Sequence, residues 1–456
     1  MHQAYFSGRT HAIDNLTERS LENNYIDPDL YQKYDVKRGL RDLSGRGVMT
    51  GLTHIADVYA YEEENGKTIP TEGILYYRGI DTRDIVNGFL SEKRFGFEEV
   101  TYLLLTGDLP NKHEYEHFFN EMSRHRGLPQ EFIRDIIMEA PSPNVMNALA
   151  RAVLTLYAYD KNPDSTAPEN VMLQSLALIA TFPALAAYAY HAYNHFHNGE
   201  SLFVHIPPAD LSAAETLLYL LRPDQKYTDL EARILDLSLV LHADHGGGNN
   251  STFTTRVVTS TDTDTYSAIA AALCSLKGPR HGGANIKVSH MFDDLKAHVS
   301  DWQDEKQITD YLEALLAGTA FDRKGLIYGI GHAVYSVSDP RAEMLRAYLE
   351  KLSVEKGVEE EFGLYTRVAT LASNLIMKKR NIYKGVSPNI DFYSGFLYRL
   401  LGLPEELFTP LFAVARISGW CAHRLEEISA ANKIIRPAYR SVSDVRQYVA
   451  MSQRPE

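Results

Sequence analysis

Three side chains that can exchange protons lie in stretches punctuated by glycine and proline. His281 lies in Gly-Pro-Arg-His-Gly-Gly-Ala-Asn, His332 in Gly-Ile-Gly-His-Ala-Val, and Asp391 in Pro-Asn-Ile-Asp-Phe-Tyr-Ser-Gly. Histidine and aspartate are common general acids and bases. Taken singly, each has an ordinary explanation: a solvated histidine in a turn, or an aspartate that caps the helix continuing through Phe396 and Leu400. The three are therefore informative only in combination.

Two arginines could bind an anion. Arg416, in Leu-Phe-Ala-Val-Ala-Arg-Ile-Ser-Gly-Trp, is the only permanently charged residue between Glu406 and Arg424. A guanidinium in so apolar a helix is costly unless an anion pairs with it, and that anion is either an internal carboxylate or a substrate. Arg341 follows Asp-Pro and could instead cover a helix start.

Other motifs fail. Gly66-Lys67-Thr68 lacks the earlier glycine of a phosphate-binding loop, and the chain has no Gly-x-Ser-x-Gly nucleophile elbow. His242 and His245 are three positions apart and could bind one metal ion, but no His-Glu-x-x-His motif or cysteine pair accompanies them. The sequence therefore predicts no metal site.

Mostly helical elements must position these side chains. The one clear strand signal spans about residues 54–77, where β-branched and aromatic residues flank an Asn-Gly turn. Thr228 to Glu231 matches a capping box and predicts a helix that reaches His242. Thr409-Pro410 predicts another helix start with a capping hydroxyl. The apolar stretch from Leu176 to Tyr190, interrupted by a proline, predicts a buried helix pair and not a membrane anchor.

Composition and charge narrow the function. The 456 residues carry 46 Lys+Arg against 59 Asp+Glu, a formal net charge of −13, which disfavours nucleic-acid binding and requires a locally basic pocket for any anionic ligand. Two cysteines and an N-terminus without the apolar core of a signal peptide predict a cytoplasmic protein.

Two joints marked by glycine and proline, at Gly278-Pro279 and Gly385-Val386, bracket a segment. This segment could form a second helical domain that moves about two hinges.

Five ordered motifs together carry a family resemblance. They are His-Ala-Asp-His at His242, Gly-Pro-x-His-Gly-Gly-Ala-Asn, Gly-x-Gly-His-x-Val followed by Asp-Pro-Arg, Pro-Asn-x-Asp-Phe-Tyr-Ser-Gly, and Arg-Pro at Arg436. The chain resembles citrate synthase, including the similar 2-methylcitrate synthases, from about Gly39 to Arg440. The segment Gly73 to Gly79 also resembles the family's N-terminal hairpin.

The resemblance implies a mainly α, two-domain fold with a small N-terminal β-hairpin. Residues 1–277 and 391–456 would form the large helical domain, and residues 278–390 the inserted small one. It also implies a homodimer without nucleic-acid or membrane partners that condenses an acyl-CoA with oxaloacetate and hydrolyses the thioester. Acetyl-CoA or propionyl-CoA would be a substrate, and no cofactor would be needed.

The resemblance further assigns roles. Asp391 would take the α-proton of the acetyl methyl, His281 would donate a hydrogen bond to the thioester oxygen, and His332 would polarise the ketone of oxaloacetate. An aspartate can deprotonate a thioester only if a positioned donor meets the charge that develops on its oxygen, and a neutral imidazole suits that task. The oxaloacetate carboxylates would be held by His245, Arg341, Arg416 and, from the other subunit, Arg436.

The pattern departs from the family at two positions, and it leaves the exact reaction open. Ser336 stands where a basic residue often helps to hold coenzyme A phosphate, so Lys378, Lys379 and Arg380 are candidate replacements. Gly246 stands where many members have Glu. Propionyl-CoA differs from acetyl-CoA by one methylene, worth only about 1–3 kcal/mol to a pocket. The same motifs are also compatible with a citryl-CoA lyase and with a ligand-sensing homologue without activity.

Overall fold

A computed structural model describes residues 10–42, 47–64, 67–138, 141–332, 334–382, 385–430 and 433–454. Helices dominate these residues, as the sequence predicts, and strands are few. The chain divides into a terminal unit, Met1–Gly51 with Arg436–Glu456, and a central unit, Leu52–Ile435.

The terminal unit contains two helices, α1 (His11–Asn23) and α2 (Pro28–Lys33), and short 3₁₀ turns at Arg38–Leu40 and Met451–Gln453. The hydroxyl of Thr10 caps α1, and α2 has a proline at its first position, where the missing N–H costs nothing. Arg440 lies over the ring of Tyr34 at 4.3 Å, which joins the two segments of this unit.

The central unit opens with the predicted hairpin, which the structure confirms. Strand β1 (Ala56–Glu64) pairs antiparallel with β2 (Lys67–Tyr77), and β3 (Ile80–Asp81) pairs with the end of β2. The predicted Asn-Gly turn at residues 65–66 lies outside the described residues.

Helices form the rest of the central unit. A π-helical turn spans Ile133–Met138, and 3₁₀ turns lie at Tyr157–Tyr159 and Glu405–Leu407. The helices are α3 (Thr82–Ser91), α4 (Phe97–Thr106), α5 (Lys112–Arg124), α6 (Gln130–Phe132), α7 (Val145–Leu156), α8 (Pro168–Asn198), α9 (Ala213–Leu221), α10 (Asp229–His242), α11 (Asn250–Thr259), α12 (Thr265–Leu276), α13 (Ala284–His298), α14 (Glu305–Leu316), α15 (Pro340–Lys356), α16 (Glu359–Arg380), α17 (Ile390–Leu400) and α18 (Phe408–Ala430).

Helix α18 runs through the core, where it packs against α4, α8, α10, α11 and α12. It is buried on all sides from Phe408 to Arg424, so its apolar residues need no polar face. Helix α10 begins with the predicted capping box, since the hydroxyl of Thr228 accepts the N–H of Glu231 and the Glu231 carboxylate accepts the N–H of Thr228. It ends at His242, as predicted.

Two predictions about helices were wrong in detail. The stretch Leu176–Tyr190 lies in the single helix α8, with Pro183 inside it, and does not form a helix pair. Helix α18 begins at Phe408, and the Thr409 hydroxyl donates to the carbonyl of Gly282 at 2.9 Å instead of capping the helix. In both cases tertiary burial outweighed a local signal.

Helix α8 is, among the described residues, the one helix long and apolar enough to cross a membrane. Most of its apolar stretch is buried inside the central unit, so length and composition are weak evidence for a span. The predicted joints also lie inside this unit, and the division into a large domain and an inserted small domain stays a prediction.

Candidate active site

The loop that carries His332 lies beside the residues that precede α17, the helix of Asp391. Asn389, which caps α17 two positions before Asp391, donates its backbone N–H to the carbonyl of Gly329 at 2.9 Å and its side-chain amide N–H to the carbonyl of Gly331 at 2.8 Å. Gly329 has a φ of +78°, and a Cβ there would lie 2.9 Å from a backbone atom of α17. The glycines before His332 therefore allow the two loops to meet.

Backbone contacts assign the proton of His332. Its Nδ1 accepts two backbone N–H donors, from Val334 at 3.0 Å and Tyr335 at 3.1 Å. A backbone N–H can only donate, so the neutral ring carries its hydrogen on Nε2. His332 can therefore present a donor to a carbonyl oxygen.

Asp391 lies in the first turn of α17. Burial raises the pKa of its carboxyl to about 6; the positive charges of Arg341 and Arg416 oppose this shift, and the negative charge of Asp339 adds to it. A carboxylate with a pKa closer to neutrality is a stronger base than an ordinary aspartate. Asp391 is thus suited to accept a proton from a weak carbon acid.

Arg341 is held by a carboxylate that the sequence analysis did not assign. Asp339 caps α15 and binds Arg341 through both oxygens, at 3.0 Å to Nε and 2.8 Å to Nη2. Both side chains are buried, and burial opposes but does not outweigh the effect of Asp339, which raises the pKa of Arg341. Asp339 directly before Pro340 is a helix-start signal that could have identified it.

Arg416 has no such carboxylate partner within the described part of the chain. It is fully buried in α18, its Nε donates to the carbonyl of His242 at 2.7 Å, and its guanidinium lies over the ring of Phe412 at 4.7 Å. Nη1 and Nη2 are buried and have no hydrogen-bond partner among the described residues. Burial lowers the pKa of Arg416 to about 10. A buried cation without a hydrogen-bond partner is costly. An anion that bound to these two nitrogens would remove that cost.

His245 contributes a further unsatisfied group to the same place. Its Nε2 is buried and without a partner in the residues that the structure describes, and its ring lies 5.2 Å from that of His332. Burial, followed by the charge of Arg341, holds the pKa of His245 well below its ordinary value. A neutral His245 beside two arginines can donate a hydrogen bond to an anion.

His281 follows α12 and contacts Ser251. Its Nε2 accepts the backbone N–H of Ser251 at 3.4 Å and lies 3.1 Å from the Ser251 hydroxyl, which Trp420 also contacts through its indole N–H. An accepting Nε2 places the ring hydrogen on Nδ1. Burial, with the charge of Arg416, lowers the pKa of His281 to about 4, so the ring is neutral at pH 7.

The three predicted contacts for coenzyme A, Lys378, Lys379 and Arg380, lie in the last turn of α16. Arg380, at the end of α16, lines a cavity of about 190 Å³ that also contacts His332 and Ser336. Lys378 and Lys379 are not among the residues that line it. Arg436 belongs to the terminal unit, and its predicted role stays a prediction.

One base and several hydrogen-bond donors lie in one cluster, formed by His245, His281, His332, Arg341, Arg416 and Asp391. The described residues include no group of three or more His, Cys, Asp or Glu side chains that could hold a metal ion. The arrangement can remove a proton from carbon beside a carbonyl group and stabilise the oxygen charge that results.

Known proteins are similar to this chain in sequence and in fold. The family model described as citrate synthase, C-terminal domain, matches residues 43–438. A citrate synthase from Deinococcus radiodurans is 36% identical over 387 residues, covering 84% of this chain and 94% of that protein. A 2-methylcitrate synthase from Shewanella oneidensis is 31% identical over 380 residues, covering 83% and 90%.

Solved structures agree. Citrate synthase from Thermoplasma acidophilum, in a ternary complex with carboxymethyl coenzyme A and oxaloacetate, superposes with a TM-score of 0.74 at 26% identity, covering 92% of this chain and 99% of that one. Citrate synthase from Pyrobaculum aerophilum gives 0.73 at 31% identity, covering 90% and 95%.

Proposed function

The chain belongs to the citrate synthase family of transferases, and from that premise we propose that it condenses acetyl-CoA with oxaloacetate and hydrolyses the thioester to citrate and CoA. One observation carries the proposal: nitrogens of Arg416 and His245 that are buried and have no partner among the described residues lie in the same cluster as an aspartate whose pKa is raised to about 6. Oxaloacetate is a dianion, and guanidinium groups match its carboxylates.

Three residues of the cluster act on the reacting atoms. Asp391 accepts a proton from the methyl group of acetyl-CoA, and the electron pair moves toward the thioester oxygen, where the Nδ1–H of His281 stabilises it. The enolate carbon then bonds to the ketone carbon of oxaloacetate while the thioester carbonyl re-forms. The ketone oxygen, polarised by the Nε2–H of His332, takes that proton and becomes a hydroxyl, and the proton accepted by Asp391 replaces it through solvent. Water finally cleaves the thioester bond, which releases CoA.

Thiol release tests the proposal directly. Acetyl-CoA and propionyl-CoA are each assayed with and without oxaloacetate. We expect release that depends on oxaloacetate, with the larger kcat/KM for acetyl-CoA, because the similarity to citrate synthases exceeds that to 2-methylcitrate synthases. A larger kcat/KM for propionyl-CoA would instead identify a 2-methylcitrate synthase. Release from neither thioester would favour citryl-CoA cleavage or ligand sensing.

The pH dependence of the reaction follows from two pKa values. Asp391 must be ionised to accept a proton, and its pKa is about 6. We therefore expect kcat/KM, which reports the pKa values of the free enzyme, to fall about tenfold per pH unit below 6 and to level off above it. His281, with a pKa of about 4, stays neutral through this range. A pH–rate profile with an acid limb near 4 would contradict the assignment of Asp391.

Arg380 is the proposed contact for a phosphate of coenzyme A, because it alone of the three basic residues lines the cavity beside His332. An exposed ion pair contributes about 0.2–1 kcal/mol, so we expect Arg380→Ala to raise the KM for acetyl-CoA about two- to fivefold and leave that for oxaloacetate unchanged. Lys378→Ala, on the same turn of α16, is the matched control. Equal KM values for acetyl-CoA in the two variants would exclude Arg380.

The homodimer, the contribution of Arg436 to the other subunit's site, and a cytoplasmic location are part of the same proposal. Family membership supports the first two, and two free cysteines support the third. Activity followed through a dilution series, with the mass of the active species measured by light scattering, tests the dimer. A fully active monomer would exclude the role of Arg436.

A further inference from the structure

A chain of buried polar side chains lies behind His245. Arg256 forms ion pairs with Glu426 and with Glu427, the latter at 2.8 Å. Its Nε and Nη2 both contact Nδ1 of His423, at 3.1 and 2.8 Å, and Nε2 of His423 lies 3.2 Å from Asp244. His423 and Asp244 are fully buried. One imidazole therefore connects a buried cation to a buried carboxylate.

The direction of these hydrogen bonds is determined. A guanidinium can only donate, so Nδ1 of His423 accepts from Arg256 and the neutral ring carries its hydrogen on Nε2. That hydrogen is donated to Oδ2 of Asp244. Burial alone would raise the pKa of Asp244, but the hydrogen bonds from His423 and the backbone N–H of Gly246, together with the charge of Arg416, keep it below its ordinary value.

Asp244 in turn holds the loop that carries His245. Its Oδ2 also accepts the backbone N–H of Gly246 at 2.9 Å, and its carbonyl accepts the Tyr77 hydroxyl at 3.2 Å. The loop also packs directly on α18, because a Cβ at Gly419 would lie 2.5 Å from both the Asp244 carboxylate and the carbonyl of Ala243. The carboxylate thus anchors the residues on both sides of His245.

We propose that His423 is a positioning residue for oxaloacetate binding: it joins Arg256 to Asp244 and so fixes the place of His245. The inference rests on the proposed function. His423 contacts neither substrate in this scheme, and the chain of contacts that it completes leads to His245 rather than to Asp391. Its loss should therefore affect the affinity for oxaloacetate more than the proton-transfer step.

The test compares His423→Ala with His423→Gln. A shift of His245 should raise the KM and the dissociation constant for oxaloacetate on the order of tenfold in the alanine variant, with kcat and the KM for acetyl-CoA within about twofold of the parent enzyme. Glutamine keeps a donor for Asp244 and an acceptor for Arg256, so it should recover most of the affinity. His423→Asn, whose amide is too short to reach both partners, replaces the alanine variant if that protein does not fold.

His191→Ala is the matched control, since His191 is a buried histidine of α8 that contacts the carbonyl of Leu220 at 2.8 Å. It should lower thermal stability and leave the affinity for oxaloacetate unchanged. Calorimetric titration with oxaloacetate separates the two ways of failing. A parent enzyme that does not bind oxaloacetate would refute the proposed function and this inference with it. A parent that binds oxaloacetate, beside an alanine variant of equal affinity, would overturn the role of His423 alone.

Discussion

Asp391→Asn is expected to lower kcat on the order of 10²–10⁴-fold, the range that a general base contributes, and to leave oxaloacetate bound at least as tightly as before. Asparagine has the shape of aspartate but cannot accept the proton. Burial raises the pKa of Asp391 to about 6, so the native carboxylate is poised for this task at neutral pH. Removal of its negative charge also removes a repulsion felt by a dianionic substrate.

Steady-state kinetics and calorimetric titration with oxaloacetate measure the two halves of this prediction. Asp310→Asn is the matched control, because Asp310 is an exposed aspartate of α14 that pairs with Lys306 at 2.8 Å. It should behave like the parent enzyme. A variant at Asp391 that retained a tenth of the parent activity would require another base.

Local signals predicted those parts of the structure that local physics determines. The β-hairpin predicted at about residues 54–77 follows from β-branched and aromatic residues on either side of an Asn-Gly step, and α10 follows from a capping box and an apolar repeat that ends at His242. The glycines of the His332 motif show the limit of such signals: Gly329 and Gly331 have positive φ and lie where the loop of His332 meets the start of α17, which the sequence analysis did not predict.

Long-range contacts explain what the sequence did not reveal. Asp244 and His423 are 179 positions apart, and Arg256 and His423 are 167 apart, so no spacing in the chain predicts their contact. The same holds for Arg416, whose partner at Nε is a backbone carbonyl 174 positions away. The sequence analysis predicted that this arginine needs an anion, but only the fold shows that no internal carboxylate is hydrogen-bonded to it in the described residues.

Arg416→Met is the substitution whose effects on function and stability should have opposite signs. Hydrogen bonds to charged groups contribute about 1.5–3 kcal/mol each, so loss of those from Nη1 and Nη2 to substrate should lower kcat/KM for oxaloacetate on the order of 10²–10⁴-fold. Without substrate these nitrogens are buried and lack a partner among the described residues. Burying such a charge costs free energy that an apolar chain of similar length does not incur, and methionine can still pack on Phe412.

Arg424→Met provides the contrast that tests this reasoning. Arg424 is also fully buried in α18, but its nitrogens donate to Thr265, Thr259 and the carbonyl of Thr263 at 2.8–3.2 Å. Removing Arg424 leaves these two hydroxyls and this carbonyl without their hydrogen-bond donor, so Tm should fall while the KM for oxaloacetate stays unchanged. Thermal unfolding without substrate and kinetics with it measure both variants. If Arg416→Met lowered Tm as much as Arg424→Met, Arg416 would stabilise the unliganded fold, and its open nitrogens would no longer mark a substrate site.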